Sequence, residues 1–186
     1  TNNIYAGPFD EFFGKRAAAY NYVGAVVNTR GKRNSNNVNN PFEHESEDIY
    51  EVIDWVSKQP WCNGKVGMIG GSYLGFSQWA AVKKLHPALK TIVPQVAVGI
   101  GIDYPAQNNI FMSYMLQWIQ YVTNNKFTDE ADFTNAVKWD SIYTRGLKNL
   151  LYSSDSKANT SFMQSALWEP ESLQHSFYPK IGRAHV

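Results

Sequence analysis

Lys65-Val66-Gly67-Met68-Ile69-Gly70-Gly71-Ser72-Tyr73-Leu74-Gly75-Phe76 is an apolar, strand-like run that stops at two glycines and a serine, after which a helical pattern begins. A turn of this kind holds the serine hydroxyl clear of the backbone at a strand-to-helix bend. It also aims the next residue's N–H at a substrate oxygen. The stretch reads as a nucleophile elbow, with Ser72 the candidate nucleophile and the Tyr73 backbone N–H a candidate oxyanion-hole donor. The strict pattern is G-x-S-x-G, whereas here Leu74 stands two residues after the serine and the glycine follows at Gly75. Taken alone, the turn supports a second reading equally: Ser72 caps the helix that starts near Tyr73, since serine is a favoured cap and Gly-Gly-Ser is common in loops.

Working outward, the chain alternates. Gly24-Ala25-Val26-Val27 predicts a strand, and residues 47–58 predict a helix with Ile49, Val52, Ile53 and Val56 on one face. Glu45, Glu47 and Asp48 lie near that helix start, where they complement its dipole. Val66-Gly67-Met68-Ile69 predicts the next strand, and residues 73–85 a helix offering Phe76, Trp79, Ala80 and Leu85 for packing. Thr91-Ile92-Val93 leads a third strand, whose length is uncertain from sequence because Pro94 cannot donate to a ladder. Strand, helix, strand, helix, strand is a parallel α/β core. Beyond Gly99 the strand pattern stops. Residues 104–122 carry Phe, Met, Tyr and Trp at helical spacing, and a second helical stretch runs from 129 toward 143.

Composition narrows the function classes. The chain has 186 residues, 18% charged and 15% aromatic, with a formal net charge of +1, so neither a nucleic-acid nor a membrane partner is indicated. The basic, Asn-rich stretch 30–41 lacks interleaved aromatics and no phosphate-binding G-x-x-x-x-G-K-S/T pattern occurs, so it reads as a solvated loop. Arg30 reads as structural, paired with a carboxylate or backbone carbonyls. A single cysteine, Cys62, excludes an intrachain disulfide and a multi-cysteine metal site; it reads as a packed thiol at a helix end.

The flanks of the elbow carry a more specific signal. Gly70-Gly71-Ser72-Tyr73-Leu74-Gly75 resembles the G-x-S-Y-x-G elbow of the CocE/NonD hydrolases, relatives of the X-Pro dipeptidyl-peptidases, which accounts for the displaced glycine. Asn28-Thr29-Arg30-Gly31 is similar to that family's D-T-R-G strand end. Asp54-Trp55-Val56 and Gln59-Pro60-Trp61-Cys62-Asn63-Gly64-Lys65-Val66-Gly67 are similar to its approach to the elbow. The resemblance is strongest from about Gly24 to Gly99. It implies a partial α/β-hydrolase core over 1–102, a parallel sheet flanked by helices, followed by the start of a helical cap over 103–180, with Gly101-Ile102-Asp103-Tyr104-Pro105 as the crossing. It also implies that the chain begins inside a domain. Ile181-Gly182-Arg183-Ala184-His185-Val186 has no counterpart in the family and matches one frame of a common sequencing adapter, so it is expected to be a non-native tail.

For function, the resemblance implies a serine hydrolase acting on a small-molecule ester or amide, or on a peptide, through an acyl-enzyme, with no cofactor and no metal. Ser72 needs a histidine within reach and an acid to orient it. His44 reads as a cap or surface group and His86 lies at the far end of the elbow helix. His175 falls in the cap-like part and His185 in the suspected tail. The resemblance places the acid and the histidine after the cap, outside this chain, so the chain by itself is expected to be inactive. It places the second oxyanion donor on a tyrosine upstream of Thr1; Tyr5 is the early alternative, in a context unlike the family's Pro-Tyr. Trp118, Tyr114 and Met115 are candidates to line the acyl pocket, the alternative being ordinary core. An X-Pro dipeptidyl-peptidase remains the alternative activity, needing an acidic group for the substrate amine, for which Asp103, Asp129 and Asp132 are available. Leu74 stands where amino-acid ester hydrolases favour an acidic residue. A scaffold without a complete triad is the alternative from another class.

Overall fold

The computed structural model describes residues 8–99, 104, 106–107, 110–112 and 114–152. Tyr5, Asp103, Pro105, residues 153–180 of the cap-like stretch with His175, and the 181–186 tail with His185 lie outside the described residues. The elements run α1 (Pro8–Ala19), α2 (Glu45–Ser57), β1 (Val66–Gly71), α3 (Tyr73–Lys83), β2 (Leu89–Gln95), β3 (Ala106–Gln107), β4 (Ile110–Phe111), α4 (Tyr114–Thr123), α5 (Glu130–Phe133) and α6 (Ala136–Tyr152).

The centre is the β1–α3–β2 unit. β1 and β2 are parallel, with Met68 opposite Ile92 and Gly70 opposite Pro94, so α3 is the crossover that a parallel pair requires. Pro94 does not end its strand, which continues to Gln95. α2 packs on this unit through Ile53, which is buried with Ala81, Ala88 and Leu89, while Ile49, Val66, Met68 and Ile92 close the cluster. Glu45, Glu47 and Asp48 occupy the first turn of α2, as expected. The observed parallel β-α-β arrangement is a partial α/β core.

Four expectations need correction. Gly24-Ala25-Val26-Val27 is not a strand. A strand exists through its ladder, and among the described residues β1 and β2 pair with each other while nothing pairs with 24–27. Gly24 lies instead against Gly14 of α1, and Val27 is exposed. On α3, Trp79 is exposed, and Leu85, also exposed, falls beyond the helix end. The face turned to the sheet carries Gly75, Gln78 and Ala81, small or hydrogen-bonding residues that let the helix lie close. The aromatic helix begins at Tyr114, not near residue 104. The stretch from 129 is broken into α5 and α6. Asp129 accepts the Asp132 N–H at 3.0 Å as a cap of α5, which ends within a turn, and Trp139 Nε1 donates to the Asp132 carbonyl at 2.8 Å across the break.

α4 has its own small core, in which Tyr104, Met115 and Ile119 are buried and Phe42, Val98 and Trp118 pack around them. Among the described residues, no helix is long and apolar enough to cross a membrane.

Candidate active site

Ser72 sits between β1 and α3 at φ 55°, ψ −119°. A non-glycine residue with these angles is strained, at a cost of roughly 1–3 kcal/mol, and persists only where its surroundings over-determine it. Those surroundings are visible. The Ser72 N–H donates to the Gln95 carbonyl at 3.0 Å, tying the turn to β2, and its own carbonyl accepts the Gly75 and Phe76 N–H groups, each at 3.0 Å. The two flanking glycines are required by close approach. A Cβ on Gly70 would lie 2.6 Å from Leu74 Cβ, and one on Gly75 would lie 2.9 Å from both Ala97 Cα and the Gln95 carbonyl oxygen. The displaced glycine of the sequence is thus the one that lets the first turn of α3 rest on the end of β2.

Ser72 is the N-cap residue of α3, but its side chain makes no cap hydrogen bond. Ser72 is exposed. Tyr73 opens α3, so its N–H has no intrahelical acceptor and points out of the positive end of the helix dipole. Both features suit a developing oxyanion. Val96, just past β2, is a second strained residue at φ 40° beside the turn.

The Tyr73 hydroxyl is held by Glu45 and Phe42. It donates to Glu45 Oε1 and accepts the Phe42 N–H at 3.2 Å, and Phe42 N–H also reaches Glu45 Oε1 at 3.1 Å. Burial, then the negative charge of Glu45, push the Tyr73 phenol far above the ordinary tyrosine range, so it stays a neutral donor. Phe42, in the left-handed region at φ 72°, is the hub of an aromatic cluster. Its ring centroid lies 4.9 Å from Tyr73, 4.8 Å from Phe76, 5.2 Å from Tyr104 and 5.7 Å from Trp118. This cluster joins the elbow to α4.

The three residues considered for the acyl pocket part company. Trp118 lies 5.8 Å from the Tyr73 ring. Met115 is 1% exposed inside the α4 core, and Tyr114 is exposed and packs edge-on against Phe133. The described histidines are elsewhere engaged. His86 is buried, accepts the Ala88 N–H on Nδ1 at 3.0 Å, has Nε2 3.5 Å from Asp54 Oδ1 and packs against Tyr50. His44 precedes α2 without capping it, beside Glu43. Among the acids considered for an amine, Asp129 caps α5 and Asp132 pairs with Lys138. No group of three or more His, Cys, Asp or Glu side chains suits a metal among the described residues.

Arg30 is structural as expected, forking onto Asp48 with Nε 2.9 Å from Oδ2 and Nη2 on Oδ1. The loop after it is not merely solvated. Lys32 donates to the Phe127 carbonyl at 3.2 Å, the Arg33 N–H to the Lys126 carbonyl at 2.9 Å, and Asn39 Nδ2 to the Val122 carbonyl at 2.9 Å, so the loop docks on the end of α4. Sequence reasoning also passed over Phe42 and the Glu45–Tyr73 contact, and took Glu45 only as a dipole partner. Gln78 was missed too: it is fully buried, donating to the Gly70 and Leu74 carbonyls and accepting the Val93 N–H at 2.8 Å. No periodicity marks the Tyr73–Glu45, Tyr73–Phe42 and Gln78–Val93 contacts, which join residues 28, 31 and 15 positions apart.

The sequence profile of the X-Pro dipeptidyl-peptidase (S15) family matches residues 12–184. Curated relatives include a cocaine esterase of Rhodococcus sp. (strain MB1 Bresler), 37% identical over 76 residues, covering 41% of this chain and 13% of that protein. A Xaa-Pro dipeptidyl-peptidase of Lactobacillus helveticus (strain DPC 4571) is 30% identical over 121 residues, covering 57% of this chain and 15% of that protein. The chain therefore spans a small part of these relatives' length. Among solved structures, a selenomethionine-labelled alpha-amino acid ester hydrolase overlays on 83% of this chain and 34% of its own, with TM-score 0.48 and 22% identity.

Proposed function

The chain belongs to the X-Pro dipeptidyl-peptidase (S15) family, and from that premise we propose that it supplies the nucleophile of a serine hydrolase that cleaves ester or amide bonds through an acyl-enzyme. The observation that carries this reading is the strained, exposed Ser72 at the β1–α3 junction, at φ 55° and ψ −119° without a capping bond. A side chain held at that cost and given no structural hydrogen bond among the described residues is explained by chemistry at its hydroxyl.

In the proposed mechanism Ser72 Oγ attacks the carbonyl carbon of the substrate while its proton passes to a histidine. The oxyanion is received by the Tyr73 N–H at the start of α3, and water then releases the acyl group. The reading takes the histidine, its orienting acid and the second oxyanion donor from outside the described residues; of the described histidines, His86 is held by Ala88 and Asp54 and His44 lies beside Glu43. Trp118, whose ring lies 5.8 Å from that of Tyr73, is kept in this reading as a residue that lines the acyl pocket. An activated serine and water suffice for this reaction, so the reading requires no cofactor.

The test is fluorophosphonate labelling of the protein expressed from its complete gene, wild type against Ser72→Ala, with the modified peptide mapped. An adduct on Ser72 that the alanine variant abolishes is the expected result. A well-folded protein whose Ser72 stays unmodified would refute the reading and favour a scaffold without a triad. Once Ser72 is labelled, parallel assays on simple esters and X-Pro peptides separate an acyl esterase from a dipeptidyl-peptidase.

A further inference from the structure

Glu45 is a buried carboxylate, 8% exposed, at the first position of α2. Its place at a helix start does not account for its burial, because Glu47 and Asp48 in the same turn already complement the dipole from more open positions. A carboxylate out of water is costly unless it is hydrogen-bonded. Oε1 is bonded, taking the Tyr73 hydroxyl and the Phe42 N–H, while Oε2 is buried with no hydrogen-bond partner among the described residues. The nearby positive charge belongs to Arg30, which is itself forked onto Asp48. What the described contacts of Glu45 accomplish is a grip on Tyr73 and Phe42.

Tyr73 shares a peptide bond with Ser72, and that peptide carries the N–H assigned to the oxyanion. The strain at Ser72 favours relaxation of the turn toward an ordinary helix start. Opposing it on the main chain are the Ser72 bond to Gln95 and the contact of Gly75 with Ala97. On the side chain, the opposing contact is the Tyr73 hydroxyl held by Glu45, with the Tyr73 ring packed against both Phe42 and Trp118.

We propose that Glu45 is a positioning residue for the nucleophile turn, acting through the Tyr73 hydroxyl and touching neither substrate nor reacting atoms; the inference rests on the serine-hydrolase reading above. Releasing the hydroxyl lets the 72–73 peptide rotate away from the geometry in which Ser72 Oγ and the Tyr73 N–H face the same carbonyl. Misplacement on that scale slows a reaction by roughly tenfold to a hundredfold without weakening encounter with the reagent.

The experiment is saturation kinetics of fluorophosphonate inactivation in the complete gene product, comparing wild type with Tyr73→Phe, Glu45→Ala, Glu45→Gln and the Tyr73→Phe/Glu45→Ala double variant, each well below its melting temperature. The limiting inactivation rate should fall roughly tenfold or more in Tyr73→Phe and Glu45→Ala, with the half-saturating concentration unchanged. Glu45→Gln, whose amide oxygen can still accept the Tyr73 hydroxyl, should recover to within roughly threefold of wild type. The double variant should be no slower than Tyr73→Phe alone, because both changes break one link. Lower melting temperatures with unchanged limiting rates would overturn the inference and leave Glu45 a structural group, and additive losses in the double variant would overturn it as well. An unlabelled wild-type Ser72 would instead overturn the serine-hydrolase reading and this inference together.

Discussion

Replacing Ser72 by glycine should leave the protein more stable than replacing it by alanine, although both changes remove the nucleophile. At φ 55°, ψ −119° the alanine variant keeps the Cβ that makes this backbone costly, roughly 1–3 kcal/mol, whereas glycine has none. Glycine loses more backbone freedom on folding, which offsets about 0.5–1 kcal/mol of that relief. The ring of hydrogen bonds through the Ser72 N–H and carbonyl uses main-chain atoms only and is the same in both variants. The difference left is about 1 kcal/mol in favour of glycine. For a folded unit of this size that is a rise of roughly 2–4 °C in melting temperature over the alanine variant. Thermal unfolding of the two proteins, followed by circular dichroism with hydrogen exchange at the start of α3, makes the measurement. A glycine variant that melts at or below the alanine variant would show that the turn stores no strain, and would remove the argument that Ser72 is held there for its chemistry.

Gly75→Val should destabilise by roughly 1–3 kcal/mol, because the new Cβ would sit 2.9 Å from the Ala97 backbone and the Gln95 carbonyl; denaturant titration would show a lower midpoint at unchanged slope. Gln78→Leu should cost about 2 kcal/mol by leaving the Val93 N–H and the Gly70 carbonyl without their side-chain partner, and the Val93 amide should exchange faster with solvent. At α5, the Asn124 amide and the Asp132 N–H hold the Asp129 carboxyl below the ordinary aspartate range. A folded-state pKa below the unfolded one means the unfolded chain binds the extra proton first. The cap is therefore at full strength above the ordinary aspartate value and is lost as pH falls through the depressed one. Amide chemical shifts of residues 130–133 should follow that acid transition in the wild type and lose it in Asp129→Asn.

Much of the centre was legible because it is local. The apolar run 66–69, the Gly-Gly-Ser break and the helix after it follow from neighbouring residues, and β1, the turn and α3 stand where those residues put them. The Arg30 pairing was legible in kind, since a buried or half-buried guanidinium seeks a carboxylate, and Asp48 is the partner. The 24–27 stretch was misread because apolar, β-branched residues record a propensity, while a strand needs a neighbour that the described residues do not provide. Trp79 was misread for the same kind of reason. Helical spacing shows which residues share a face, but here the sheet took the face with Gly75, Gln78 and Ala81, where the backbone can come close.

By itself, the sequence determined that a strand, a tight glycine turn and a helix would follow one another at Ser72, because backbone sterics and hydrophobic periodicity act over a few residues. Only the tertiary structure decided how that turn is held. Gln95 from β2, Ala97 beyond it, Phe42 from the preceding loop and Glu45 from α2 meet at Ser72 and Tyr73. These contacts span intervals in the chain that no local pattern encodes; α2 and α3 pack on the small sheet, and the aromatic cluster around Phe42 ties α4 to them.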